Sequence, residues 1–188
     1  MNKSICFLLL LNLMALPLFA TNHLSNKKNN TDVRKVEGYP NLFEWEGMYF
    51  SGQPSLDEME WMKSQGVSLI LNLRTPDEMK DFKAEAFDEE EKAGELGIAY
   101  ISVPVNGYDD YTPEKLKEFS EVLSEAHNKV LIHCRSCGRV TYFIMAYLIR
   151  YRGFSVDEAV AFGKKLKFNF PLENLLGEDI SMHINGQD

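Results

Sequence analysis

The sequence predicts an α/β domain built on a mainly parallel central sheet of about four or five strands, flanked by helices. Three observations carry that reading. Short apolar runs rich in β-branched residues recur along the chain, each followed by a segment that opens on a helix-capping residue. One such run, residues 130–132, passes through a short loop into an almost wholly apolar helix, as a strand buried on both faces would. Finally, 188 residues with 45% hydrophobic composition suit one globular domain with an ordinary core.

Residues 47–54 (Gly-Met-Tyr-Phe-Ser-Gly-Gln-Pro) read as a short strand running into a turn punctuated by Gly52 and Pro54. Ser55 and Glu58 then form a capping box, and Met59, Trp61 and Met62 populate a helix that ends at Gly66. Residues 67–71 are the next buried strand. Asn72, Leu73 and Arg74 follow at its carboxyl end, where open α/β sheets collect their ligands. Residues 76–96 read as mostly helical and solvent-facing, stopped by Gly97, with the acidic run 88–91 as a solvated face. A third strand spans 98–103 and a loop 104–111. Thr112 caps a helix with Pro113 in its first turn and Leu116, Phe119, Val122 and Leu123 along one face. The strand at 130–132, a loop at 134–139 and a helix from Val140 to Tyr151 come next, ended by Gly153. Ser155 with Glu158 opens a last amphipathic helix, to about Leu166.

Residues 1–20 combine Lys3, an apolar run at 5–19 and the small residue Ala20, the pattern of a cleavable signal peptide. Asn12 and Pro17 interrupt a run already short for a bilayer span. The expectation is export to the periplasm or the exterior, with no stable membrane insertion once the leader is removed. Residues 21–35 are polar and read as a flexible lead-in, 36–170 as the folded domain beginning near Val36, and 171–188 as a tail without clear period. The formal charge of −8, one unit more negative without Lys3, argues against nucleic acid as the main partner. An anionic ligand stays open, because a local cluster of arginine and N–H groups outweighs a distant charge that salt screens.

The chemistry concentrates in residues 133–141, His-Cys-Arg-Ser-Cys-Gly-Arg-Val-Thr. This stretch delivers Cys134 from an apolar strand to the start of a helix, where free N–H groups and the helix dipole favour negative charge. An ordinary thiol has a pKa of about 8.5, and such surroundings lower it to roughly 3.5 to 7.5. A fall of three units corresponds to about 4 kcal/mol in favour of the thiolate. Arg139 adds a permanent planar cation that can hold two oxygens of a phosphate. The combination points to nucleophilic attack on a tetrahedral oxyanion, against a buried structural cysteine ahead of a surface arginine. Cys137 makes a C-x-x-C pair with Cys134, and once the leader with Cys6 is gone these are the two remaining cysteines. In an oxidising compartment that pair could act as a redox couple or a reversible disulfide that silences the thiolate.

On these residues the chain resembles the dual-specificity-like protein tyrosine phosphatases, and in particular bacterial members similar to the phosphatase-like domain of beta-lactamase-hydrolase-like proteins. The likeness runs from about Val36 to Leu166 through Tyr49-Phe50-Ser51-Gly52-Gln53-Pro54-Ser55, Leu71-Asn72-Leu73-Arg74, Val103-Pro104-Val105 and the cysteine loop. The resemblance implies the phosphatase-like fold and hydrolysis of a phosphorylated substrate, protein or small molecule, through a phosphocysteine. It implies no metal and no cofactor. Two departures stand out. Four residues separate Cys134 from Arg139 where the usual phosphatase loop has five, a spacing shared with that bacterial branch and with rhodanese sulfurtransferases. Cys137 occupies a place suited to a small or amide-bearing residue in left-handed backbone, a freedom Gly138 could supply instead.

The family pattern assigns Cys134 as nucleophile and Arg139 as oxyanion clamp, with Arg135, Ser136, Cys137 and Gly138 completing the substrate loop. His133 would orient the loop and tune the thiolate, or stand as a structural histidine. Arg135 is expected to face solvent. Thr141 would stabilise the departing thiolate or bond a helix carbonyl, and Arg74 would line the pocket or pair with Glu78. Asp109 and Asp110, on the loop after the third strand, are the candidates for general acid, Asp109 ranking first. The competing readings are a sulfurtransferase using the same thiolate, a redox protein using Cys134 and Cys137, and a pseudophosphatase that binds without turnover.

Overall fold

Residues 29–168 are described in the structure, a computed structural model. Their first elements are three antiparallel strands, β1 (Arg34–Lys35), β2 (Leu42–Trp45) and β3 (Met48–Ser51). Next come α1 (Leu56–Ser64), β4 (Val67–Asn72), α2 (Pro76–Glu85), α3 (Glu89–Glu95) and β5 (Ala99–Ser102). A 3-10 turn at Gly107–Asp110, α4 (Pro113–Glu125), β6 (Lys129–His133), α5 (Gly138–Arg152) and α6 (Val156–Lys165) complete the order. The sheet runs β1-β2-β3-β6-β4-β5, and β3, β6, β4 and β5 are mutually parallel.

The α/β class and the mainly parallel centre match the expectation; the strand count does not. Six strands form among the described residues, because β1 and β2 add an antiparallel edge where the sequence suggested none. A tight hairpin joins β2 to β3, with both Glu46 (φ 48°) and Gly47 (φ 84°) in left-handed backbone. The folded body also starts before Val36. Val33 is buried, and Asn29 bonds the Glu158 carboxylate through its N–H at 3.0 Å and its side chain at 2.9 Å. The leader at 1–20 and the tail at 171–188 lie outside the described residues. No helix among those described is long and apolar enough to cross a membrane.

Strand alternation explains the two-layer cover. Tyr49, Ile70 and Leu131 face a cluster with Met59 and Met62 of α1 and Ala93 of α3, whereas Phe50, Leu71 and Ile132 face Phe119 of α4, Val140, Phe143 and Ile144 of α5 and Phe162 of α6. Central β6 is thus enclosed on both faces, and its carboxyl end, His133, opens on the cysteine loop. Capping boxes start α1 at Ser55, α2 at Thr75 and α6 at Ser155.

The single helix expected over 76–96 is two. The helix is interrupted at residues 86–88, where Phe87 packs on Phe82 (ring centroids 5.0 Å apart) and the Asp88 side chain accepts from Glu91 N–H to start α3. The break turns Glu89 inward, so the acidic run is not simply a solvated face: Glu89 is 1% exposed.

Candidate active site

The cysteine loop hangs between the ends of three adjacent strands. Leu73 N–H donates to His133 O at 2.9 Å, Cys134 N–H to Ser51 O at 3.4 Å, and Gln53 N–H to Arg135 O at 3.2 Å. Gly52 and Ser136 also pair as an isolated bridge. A Cβ on Gly52 would stand 3.0 Å from Arg135 O and 3.3 Å from Ser136 Cα, so this contact has no room for a side chain.

The helix begins at Gly138, two residues sooner than expected, which places Arg139 on its first turn. Cys137 is the residue preceding it and itself takes the left-handed conformation (φ 70°, ψ −5°); Gly138 does not supply it. Cys134 and Cys137 are both free and both buried. Burial, and then the neighbouring Cys134, push the Cys137 thiol up to about 12. At pH 7 such a thiol is ionised to roughly one part in 10⁵, a poor partner for redox exchange.

Arg139 reaches back across the sheet edge. Its Nη1 donates to Leu73 O (3.2 Å), Val105 O (3.0 Å) and Glu78 Oε2 (2.7 Å), and its Nη2 to Glu78 Oε1 (2.7 Å). Its guanidinium is raised above its ordinary value, by the Glu78 bond first, with the negative charge of the Cys134 sulfur as a further contribution. The loop thus brings Cys134, just beyond β6, and Arg139, on the first turn of α5, to its two ends. Glu78 is also the capping-box partner of Thr75 in the first turn of α2, accepting from Thr75 N–H at 3.0 Å, and the Arg139 bond leads in holding its carboxyl down at about 2.

On the other side of the loop, His133 is wholly buried with Nε2 2.9 Å from Glu89 Oε1. Arg74 is buried too: Nη1 donates to Gln53 Oε1 (2.5 Å) and Nη2 to Glu78 O (3.0 Å), while Phe82 stacks 5.4 Å from its guanidinium carbon. Its Nε lies 3.9 Å from Glu78 Oε1, and the residue also lines a cavity of about 370 Å³ with Asn72 and Tyr100. That cavity includes no residue of the cysteine loop, so Arg74 lies near Glu78 without lining a pocket shared with Cys134. Arg135 and Ser136 are exposed. Thr141 is buried and donates to Cys137 O at 2.8 Å, the helix-carbonyl alternative rather than a bond to Cys134.

Asp109 and Asp110 sit on the 3-10 turn. No hydrogen bond or ion pair among the described residues ties either to Cys134 or Arg139. Asp110 Oδ2 accepts from Asn106 N–H at 2.6 Å, whereas Asp109 is exposed. Sequence reasoning missed Gln53 and Glu89 and gave Glu78 only a pairing role with Arg74. For Glu78 the capping-box spacing from Thr75 was the available signal; for Glu89 nothing in an unbroken acidic run marks the one residue that turns inward.

Comparisons with known proteins bear on the family and the fold. A family model described as "DSP-PTPase phosphatase fused to NAD+ Kinase" matches residues 14–173. A "Beta-lactamase hydrolase-like protein" of Xylella fastidiosa is 33% identical over 94 residues, which is 50% of this chain and 21% of that protein, so the chain spans about a fifth of that relative's length. Among solved structures, TpbA of P. aeruginosa in complex with phosphotyrosine superposes with a TM-score of 0.56 at 18% identity, covering 70% of this chain and 76% of TpbA. Kinase associated phosphatase gives 0.53 at 20% identity, covering 64% and 75% respectively. These likenesses establish the shared fold. Because the family model spans most of the chain, strand-loop-helix included, the chain belongs to the dual-specificity-like protein tyrosine phosphatases.

Proposed function

We propose that the protein hydrolyses phosphate monoesters through a phosphocysteine on Cys134. The observation that carries this reading is the strand-loop-helix that sets Cys134 just beyond β6 and Arg139 on the first turn of α5, with Arg139 clamped by Glu78. Those bonds occupy Nη1 and one N–H of Nη2. Among the described residues no carbonyl or carboxylate takes the Nε N–H, so the Nε/Nη2 edge stays available as a fork for two phosphoryl oxygens.

In this scheme the Cys134 sulfur attacks phosphorus, the S–P bond forms and the ester P–O bond breaks. Arg139 and the N–H groups opening α5 hold the equatorial oxygens as charge shifts onto them. Asp109 gives its proton to the departing oxygen, a contribution of about 10² to 10⁴ in rate. Water then attacks the phosphocysteine, releasing inorganic phosphate and the thiolate. Exposed Arg135 and Ser136 form the rim that meets the rest of the substrate.

The test is hydrolysis of aryl phosphates by the reduced protein beside Cys134→Ser and Arg139→Ala. Both variants are expected to lose turnover, and the wild type to yield a cysteine-linked phosphoenzyme on rapid quenching. Turnover surviving Cys134→Ser removes the mechanism. Sulfur transfer from thiosulfate to Cys134 without phosphate release points to the sulfurtransferase instead, and phosphate binding without turnover to a pseudophosphatase. Export of the chain after removal of residues 1–20 is a further proposal, resting on the apolar leader; amino-terminal sequencing of the protein from its cell of origin tests it.

A further inference from the structure

We infer that Gln53 couples the two ends of the cysteine loop, making Gln53 and Glu89 positioning residues for phosphoryl transfer; the kinetic part of this inference rests on the phosphatase reading above. The first link, from His133 to Glu89, is a close buried contact rather than a hydrogen bond, and hydrogen bonds make up the next three. His133, the residue before the cysteine, lies 2.9 Å from Glu89 Oε1, and the other oxygen of that carboxylate accepts from Gln53 Nε2 at 2.7 Å. Gln53 Oε1 accepts from Arg74 Nη1 at 2.5 Å, Arg74 Nη2 donates to Glu78 O at 3.0 Å, and the Glu78 carboxylate grips Arg139. One line of contacts thus runs from the residue preceding Cys134 to the arginine that closes the loop.

Gln53 is the link that only an amide can make. Its NH₂ faces a carboxylate and its oxygen faces a guanidinium, so one amide orientation satisfies both neighbours and the reverse satisfies neither. Its own backbone N–H is bonded to Arg135 O, which fastens this side chain to the loop it bridges. Burial stiffens the arrangement. His133 is 0% exposed, Glu89 1% and Arg74 8%, and groups removed from water to that extent cannot exchange a lost partner for solvent. A displacement at Glu78 is therefore felt at His133 through Gln53.

The test is a cycle of Glu89→Gln and Glu78→Gln, singly and together, in the wild-type protein and again with Gln53→Leu. In the wild type the two losses in kcat/KM are expected to fall short of multiplying by about fivefold or more, the range of residues sharing one network. With Gln53→Leu they are expected to multiply to within about twofold, as independent sites do. Glu89→Gln alone should lower kcat more than it raises KM, since it touches no substrate. Losses that multiply in both backgrounds overturn the inference. A readout free of turnover accompanies it: Glu78→Gln should move the ring ¹⁵N resonances of His133 in the wild type and leave them in place with Gln53→Leu. Ring signals that ignore Glu78→Gln in the wild type overturn the coupling whether or not aryl phosphates are hydrolysed, whereas a missing hydrolytic activity counts against the phosphatase reading. If Gln53→Leu fails to fold, Gln53→Asn, too short to span Glu89 and Arg74, replaces it with the same outcomes.

Discussion

The Glu78 carboxylate holds the Arg139 guanidinium through two bonds of 2.7 Å, on the first turn of the helix that follows the Cys134 loop. A residue that begins α2 therefore sets the aim of a residue that begins α5. Removing its charge with Glu78→Gln leaves Arg139 the carbonyls of Leu73 and Val105 but loosens its plane. We expect kcat/KM for aryl phosphates to fall about tenfold to a hundredfold, because a misaimed clamp loses transition-state contacts. Unchanged kinetic constants would show that Arg139 is aimed by the carbonyls alone.

The same pair has an acid signature. Glu78 is held at about 2, below an ordinary carboxyl at 4.5, so its pairing stabilises the fold fully above pH 4.5 and is lost as pH falls toward 2. Chemical denaturation of the wild type and Glu78→Gln should show a gap in stability at pH 6 that narrows as the pH approaches 2. A gap that widens on acidification contradicts the assignment.

Gly52→Ala tests the loop's backing. Its new methyl would press on Arg135 O and Ser136 Cα, both backbone atoms that cannot swing away as a side chain does. The loop must shift by a few tenths of an ångström, and misplacement of about 1 Å can cost 10² in rate. A kcat loss of roughly tenfold with little change in helix content by circular dichroism is the expected outcome. Wild-type kcat in this variant would mean that the loop is not fixed from β3.

Much of this was legible beforehand, for physical reasons that also mark the limits. Apolar runs at 67–71 and 130–132 and the capping pairs Ser55/Glu58 and Ser155/Glu158 are local signals, and the elements they announce are present. The edge strands β1 and β2 gave no such signal: Arg34–Lys35 is exposed on both residues, and the hairpin turn puts Glu46 rather than asparagine or aspartate in left-handed backbone. Cys134 and Arg139 were visible because strand, loop and helix are contiguous in sequence. Glu89 was not, since its partner His133 is 44 positions away and becomes a neighbour only when β6 inserts between β3 and β4.

Cys137 is set up to remain a thiol. It is fully buried, and burial first of all pushes its ionisation up to about 12. We expect peroxide to inactivate the wild type and Cys137→Ser at similar rates, with similar recovery on adding dithiothreitol. Recovery that depends on Cys137 would establish the Cys134–Cys137 disulfide and return the redox reading to favour.

The choice between Asp109 and Asp110 follows from what each carboxylate already does. Asp110 Oδ2 is committed to Asn106 N–H at 2.6 Å and closes its own turn, whereas Asp109 is exposed beside it on the loop that follows β5. That loop is anchored to the site, since Val105 O accepts from Arg139 Nη1. A general acid matters in proportion to the basicity of the leaving oxygen, so the diagnostic is a comparison of substrates rather than one rate. Asp109→Asn should lower kcat by about 10² or more for an alkyl phosphate and much less for p-nitrophenyl phosphate, whose leaving group departs without a proton. Asp110→Asn, which keeps an oxygen for Asn106 N–H, should affect both substrates equally and by less than about tenfold. Should the leaving-group dependence follow Asp110 instead, the turn must open on substrate binding and release that carboxylate. Should neither variant show it, the proton comes from water and the enzyme is restricted to good leaving groups.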